Sequence, residues 1–269
     1  MIRRELESLQ EDKAAGPDDI PCSVLKQCAS QLAVPLCILF EASLATGKLP
    51  EDWKKAKIAP IYKKGSRSKP ENYRPVSLTS QVCKVLERII KKDITSHLVL
   101  NNLLSSEQHG FVQRRSCMTN LLETFEDWTT EVDKGNPIDC IYLDYKKAFD
   151  AVPHKRLIKK LYCYGIRGNL LSWIKDFLSN RWQRVVVRKG ESEWGLVSSG
   201  VPQGSVLGPT LFLIFINELP SAHTGWKQDK NVCRRLQALS SDLLRCRQST
   251  APTRPQHSGP MVRPVATQV

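Results

Sequence analysis

The sequence has no apolar run approaching the roughly 18 residues that a membrane-crossing helix needs. Its longest candidate, Leu211 to Ile216, reads as a buried helix or strand. The chain opens on Met1-Ile2-Arg3-Arg4-Glu5, polar and charged, so no secretory leader is expected. Nine cysteines are present, but there is no Cys-x-x-Cys pair and no Cys/His cluster of zinc spacing. Neither structural zinc nor a disulfide scaffold is expected, and the cysteines read as reduced thiols of an intracellular protein. Acidic residues are short: 27 Asp and Glu against 40 Lys and Arg, a net charge of +13 and a pI near 9.4. That imbalance favours a polyanionic partner, most simply nucleic acid. Adjacent Asp pairs are scarcer still. The single one, Asp18-Asp19, lies in a Gly/Pro turn.

What is present is an ordinary globular composition, with 41% hydrophobic and 25% charged residues over a length of 269, enough for one or two domains. Met1 to about Asp12 reads as a charged helix, and Lys13 to Pro21 as a turn. Val24, Leu25, Cys28, Leu32, Leu36 and Leu39 follow a helical period that Pro35 is expected to break or kink, with Gly47 near the end. Lys57 to Gly65 reads as a strand running into a basic turn. Lys63, Lys64, Arg67, Lys69 and Arg74 stand there against Glu71 alone, as either a solvated loop or a hairpin tip facing phosphate. Thr79–His97 and Met118–Val132 carry helical apolar stripes, the first with Lys and Arg on its other face. Ile138 to Asp144 is an apolar strand. Helices are expected at His154–Tyr164 and Asn169–Leu178, a hairpin over Gln183–Ser198, then a loop at Gly200–Gly208 and a helix at Pro209–Leu219. After Ser221 the composition shifts to Gln, Ser, Thr, Pro and Arg, with eight basic residues against Asp229 and Asp242. Most of this tail is expected to be disordered, with a short helix open to it over Val232–Leu244.

Asp144 is placed for metal chemistry, because a strand is rigid and its end opens to solvent. An Asp after a strand also serves as a plain turn or helix cap. Phe149 reads equally as core packing, and Pro202-Gln203-Gly204 as a simple turn. The order of several segments says more. Gly16-Pro17-Asp18, Asn72-Tyr73-Arg74-Pro75-Val76-Ser77-Leu78, Gln108-His109-Gly110-Phe111, Leu143-Asp144 with Ala148-Phe149-Asp150, and Gly200-Val201-Pro202-Gln203-Gly204-Ser205 with Leu207-Gly208-Pro209 occur in one sequence. Together, over about Lys13 to Pro220, they resemble the reverse transcriptase of non-LTR (LINE-type) retrotransposons.

The resemblance implies an α+β fold: right-hand polymerase fingers and an incomplete palm, no thumb, and a disordered basic tail. The implied division is an N-terminal helical extension (1–56), fingers (57–135), a partial palm (136–220) holding both the 138–144 strand and the 183–198 hairpin, and the tail (221–269). It implies RNA-directed DNA polymerase chemistry with an RNA template, a DNA primer and deoxynucleotide triphosphates, and Mg2+ or Mn2+ as cofactor. Asp144 would be a metal ligand, helped by the backbone carbonyl of Tyr145. Phe149 would be the gate beneath the sugar, Lys63 and Arg74 would hold the triphosphate, and Gln203 and Gly204 would lie against nucleotide and template. Asp150 is expected to cap the helix after it. No membrane or zinc is implied, and both nuclear and cytoplasmic location stay open.

The resemblance stops at Asn217-Glu218-Leu219-Pro220. Family members continue into a hairpin bearing an aromatic-x-Asp-Asp motif, and this sequence has none. It therefore resembles a copy truncated before that motif, with an uncovered sheet edge and inactive alone. The alternative is a non-enzymatic RNA- or DNA-binding remnant of a mobile element.

Overall fold

The apolar stripe read between Val82 and Ile94 becomes the helix on which the first half of the molecule is built. The structure is a computed structural model describing residues 1–145, 147–219, 235–239, 242–246 and 262–268, by backbone alone at 139–144 and in the last three stretches. In chain order it has α1 (Ile2–Glu7), α2 (Cys22–Gln27), α3 (Ala29–Thr46), β1 (Lys55–Tyr62), β2 (Tyr73–Leu78), α4 (Gln81–Leu100), α5 (Cys117–Asp133) and β3 (Asp139–Tyr145). Then come α6 (His154–Cys163), α7 (Gly168–Leu178), β4 (Arg181–Val187), β5 (Gly190–Glu191), β6 (Gly195–Val197) and α8 (Gly208–Ile216). Three tail strands follow, β7 (Arg235–Leu239), β8 (Asp242–Cys246) and β9 (Val262–Gln268). The chain divides into two compact units, 1–101 with 152–212 and 102–151 with 213–269.

In the first unit α4 is capped by the Ser80 hydroxyl, which accepts from Cys83 N–H. The helix buries Val82, Val85, Leu86, Ile90, Ile94 and Leu98. Leu157, Leu161, Trp173 and Phe177 complete that core, the last two rings stacked 5.5 Å apart. The expected break at Pro35 falls instead at Cys28, between α2 and α3, and α3 runs through Pro35. It ends where Gly47 takes φ 64°. By length and composition α3 is apolar enough to cross a membrane, which the sequence reading missed because Ser30, Gln31, Glu41 and Ser43 interrupt its apolar runs. Its inner face nevertheless packs in a globular core: Leu36 and Phe40 are buried, and Trp173 Nε1 donates to Ser43 Oγ at 2.9 Å. Near the C-terminal end of α3 the nearly buried Lys54 pairs with Asp176 at 3.1 Å, and the same carboxylate accepts Leu49 N–H at 2.8 Å.

The sheet of this unit runs β2-β1-β4-β5, with β6 also on β4. β1 and β2 form the expected antiparallel hairpin, in register from Lys57↔Leu78 to Tyr62↔Tyr73. The 183–198 hairpin is where the sequence reading needs correction. It does not share a sheet with β3. β4 lies parallel to β1, Lys55 opposite Trp182, and so extends the basic hairpin's sheet.

In the second unit β3 is flanked on both sides in the order β7-β8-β3-β9. The helix expected over Val232–Leu244 is replaced by strands, and the edge expected to be uncovered is paired. The physical reason is backbone satisfaction: a strand's N–H and C=O groups need partners, and both edges of β3 find them in described stretches of the tail. The other calls on the tail lie outside the described residues. α5 begins with a capping box in which Ser116 and Thr119 bond reciprocally.

Burial divides the thiols. Cys28, Cys117 and Cys163 are exposed, Cys22 and Cys83 buried, and all five are free. Burial pushes the Cys83 thiol well above its ordinary range and Cys22 upward, so neither offers thiolate at neutral pH. Iodoacetamide at pH 8 should label Cys28, Cys117 and Cys163 in the folded chain, and Cys83 only after denaturation. Mass mapping that finds Cys83 labelled in the native protein contradicts this packing.

Candidate active site

The basic tip between β1 and β2 is a folded loop. Lys63 N–H donates to Asn72 O at 2.8 Å, closing the hairpin beyond its last paired residues. Tyr62 Oη donates to Gly65 O at 2.6 Å and Tyr73 Oη to Arg67 O at 2.8 Å. The Tyr62 and Tyr73 rings meet edge-on, and the Arg67 guanidinium lies over Tyr62 at 5.1 Å. Lys63, Lys64, Arg67, Lys69 and Arg74 are all exposed. The loop is folded and its basic side chains face solvent, a geometry common to both readings the sequence left open.

The Gly200–Ser205 loop is held at three places within the same unit. At its entry, Gly200 N–H donates to Val152 O at 2.9 Å, and a His154 ring nitrogen lies 2.7 Å from Gly200 O. In the middle, Ser77 N–H at the end of β2 donates to Gln203 O at 2.6 Å. Gly204 sits so close to β2 that a Cβ on it would lie 2.5 Å from Ser77 O, and its φ is +115°. Only glycine suits that seat. At its exit, Ser205 Oγ accepts Gly208 N–H at 2.9 Å and donates to Pro202 O at 3.0 Å, closing the turn into α8. The Pro-Gln-Gly loop is therefore docked on β2, the strand that carries Arg74. Lys63, Arg74, Gln203 and Gly204 belong to one compact unit.

Asp144, Tyr145 and Phe149 belong to the other unit, on β3 and the turn after it. The backbone register puts Asp144 between Asp242 of β8 and Arg263 of β9. Asp242 falls in the tail that the sequence reading took as mostly disordered. In the structure it opens β8, with β7 before it. Burial raises the Tyr145 phenol above its ordinary range, so it stays protonated. Phe149 is half-buried and meets Phe111 edge-on, ring centroids 6.1 Å apart. That contact joins two of the segments singled out by sequence, Gln108–Phe111 and Ala148–Asp150. The N-cap position of α6 is Pro153, which makes no side-chain cap bond.

Sequence reasoning missed Ser77, Arg181 and Glu87. Glu87 is fully buried on α4, where its Oε2 accepts Val206 N–H at 2.8 Å and Leu207 N–H at 2.9 Å. Burial raises its carboxyl above the usual range, opposed by those amides and by the charges of Arg181 and Lys84. Arg181, 3% exposed, donates to Phe177 O and Trp53 O. One signal was legible: Cys83, Glu87, Ile90 and Ile94 recur at the spacing of the buried stripe.

The family model described as "Reverse transcriptase (RNA-dependent DNA polymerase)" matches residues 61–234. The chain is 32% identical over 226 residues to the probable RNA-directed DNA polymerase from transposon BS of Drosophila melanogaster, a match covering 81% of this chain and 24% of that protein. It is 31% identical over 234 residues to the RNA-directed DNA polymerase from mobile element jockey of the same organism, covering 83% and 24%. A third match, 28% over 179 residues, is to the Pol polyprotein of the type-1 retrotransposable element R2 of Popillia japonica, covering 65% and 24%. The chain spans about a quarter of the length of these relatives. The matched region contains the docked Gly200–Ser205 loop, the Asp144 strand and the tip and second strand of the basic hairpin, and on it the chain belongs to the reverse transcriptase family, with the RNA-directed DNA polymerases of non-LTR retrotransposons as its homologues.

Proposed function

We propose that this chain is the template- and nucleotide-handling part of a non-LTR retrotransposon reverse transcriptase, and that by itself it binds nucleic acid without extending a primer. The observation carrying the first half is the docking of Gln203 and Gly204 on Ser77 of β2. That contact joins the loop that would face template and nucleotide to the hairpin that would face phosphate. On this reading Lys63 and Arg74 engage phosphate oxygens, Arg74 through its planar fork. Phe149, steadied by Phe111, lies beneath the sugar, and Asp144 with the Tyr145 carbonyl faces the reacting end of the primer.

The second half follows from the donor set. In nucleotidyl transfer two Mg2+ or Mn2+ ions stabilise charge on the attacking and leaving oxygens, and they need carboxylates from two places in the chain. The sequence supplies Asp144 but no aromatic-x-Asp-Asp. Asp242, opposite Asp144 in register, is a lone Asp after Ser241. On this reading the second carboxylate is missing, and a shortfall of one carboxylate is expected to cost roughly several kcal/mol of transition-state stabilisation.

Fluorescence anisotropy with an RNA–DNA template–primer tests the binding half. Affinity should fall steeply with salt. In the Lys63→Ala, Arg74→Ala double variant the slope of log K against log salt should lose about 1.5, the loss of two phosphate contacts. An unchanged slope would place the contact surface elsewhere.

A further inference from the structure

The Glu87 carboxylate is an unusual way to hold a loop. A fully buried charge is costly unless it is paired and hydrogen-bonded, and a neutral side chain could accept the same amide protons. Here every polar contact of the carboxylate is a donor: Val206 N–H and Leu207 N–H on Oε2, and the Cys83 thiol on Oε1 at 3.7 Å. The charges of the buried Arg181 and of Lys84 favour its ionised form. Arg181 is itself anchored to Phe177 O at 3.0 Å and Trp53 O at 3.3 Å, with its guanidinium 5.0 Å from the Phe177 ring.

Val206 and Leu207 lie between the Gln203–Gly204 pair and the first residue of α8. Amides there have no carbonyl partner within the helix, and the positive end of the helix attracts a carboxylate. Glu87 is 119 residues away from Val206 in sequence, on the helix that directly follows β2. The loop's middle is fixed by Ser77 at the end of β2, and its exit by Glu87 on α4. The hold at the exit uses a side chain, as the His154 ring does at the entry, so it can be removed without altering the loop's own backbone.

We infer that Glu87 is a positioning residue for the nucleic-acid site: through Val206 and Leu207 it sets where Gln203 and Gly204 stand. The inference rests on the reading of the Gln203–Gly204 loop as a nucleic-acid contact. It takes no part in contacting the ligand itself.

The test compares the full chain with Glu87→Gln, Glu87→Ala and a control, Lys54→Ala. The control breaks the buried pair with Asp176 and lowers thermal stability without touching the loop. Amide hydrogen exchange over 201–208 is read beside anisotropy with an RNA–DNA template–primer. In Glu87→Ala, exchange at Val206 and Leu207 should quicken by about 10-fold, and template–primer affinity should fall by a similar factor, the usual scale for losing hydrogen bonds to a charged group. Glu87→Gln, which keeps an acceptor, should show a smaller change in both, and serves alone if the alanine variant does not fold. Lys54→Ala should keep wild-type affinity and wild-type exchange over 201–208. Unchanged exchange in both Glu87 variants overturns the tether. Faster exchange with wild-type affinity overturns the positioning role, as does an equal loss of affinity in Lys54→Ala, which would make the effect one of stability alone. A wild-type chain that does not bind template–primer overturns the nucleic-acid reading and the positioning role with it, while the exchange data still report separately whether the tether exists.

Discussion

Gly204→Ala should unseat the Gly200–Ser205 loop. The added Cβ would stand 2.5 Å from Ser77 O, 3.3 Å from Ser77 N and 3.4 Å from Ser77 C, all backbone atoms of a paired strand with little room to give. The glycine's φ of +115° is also one that an L side chain rarely adopts. Steric clash and backbone strain act together, and the expected cost is about 2–4 kcal/mol. For a chain of this size that lowers Tm by roughly 5–12 °C. The Ser77–Gln203 hydrogen bond is lost with the seat, so template–primer affinity should fall even well below Tm. A Gly204→Ala protein with wild-type Tm and affinity would mean that the loop does not dock on β2.

Arg181→Met should be at least as damaging, by a different route. It keeps the volume of the side chain but removes the buried guanidinium, leaving Glu87 with two amides, a thiol and, of its two counter-charges, only that of Lys84. Two carbonyls, of Phe177 and Trp53, lose their donor. Leaving buried polar groups without their donor typically costs about 1–3 kcal/mol each. The pH dependence identifies the cause. Burial already raises the Glu87 carboxyl in the folded chain, and loss of the Arg181 charge raises it further. A raised folded value means that the folded state holds a proton that the unfolded state has given up. The group's contribution to stability is therefore fully present below the ordinary Glu value near 4.3 and is lost as pH rises through the folded value. The gap in urea midpoint between wild type and Arg181→Met should accordingly be wide at pH 7.5 and narrow as pH falls toward 5. A gap that is constant with pH would mean that lost packing, not an exposed buried charge, is responsible.

How much of this was legible in the sequence depends on the range of the interaction. The helices α4, α5, α6 and α7 were readable because their apolar stripes are local patterns at helical spacing. The β1–β2 hairpin was readable from its apolar strand and basic turn. Lys63, Arg74, Asp144, Phe149 and Gln203 were singled out by resemblance, and the structure adds that Gln203 sits on the strand of Arg74 and that Phe149 meets Phe111. The partnership of β4 with β1 was not readable. It is a parallel pairing between segments more than a hundred residues apart, and no turn dictates it. The tail strands were missed for a related reason: a polar, proline-bearing segment shows no strand pattern until β3 offers it an edge. Glu87 was hidden by its own charge, since a glutamate between Leu86 and Arg88 reads as solvent-facing. Only a contact with the far side of the fold explains why it is buried.

The proposal at the centre of this account is that the chain binds template and primer but does not by itself extend the primer. Templated primer extension tests it most directly, using purified folded chain, an RNA template with a DNA primer, deoxynucleotides and Mg2+ or Mn2+, beside Asp144→Ala and Asp242→Ala. The account predicts salt-sensitive template–primer binding and no extension by any of the three. Extension by the unmodified chain that is lost in both variants would contradict it, and would make Asp242, across the strand from Asp144, the second carboxylate.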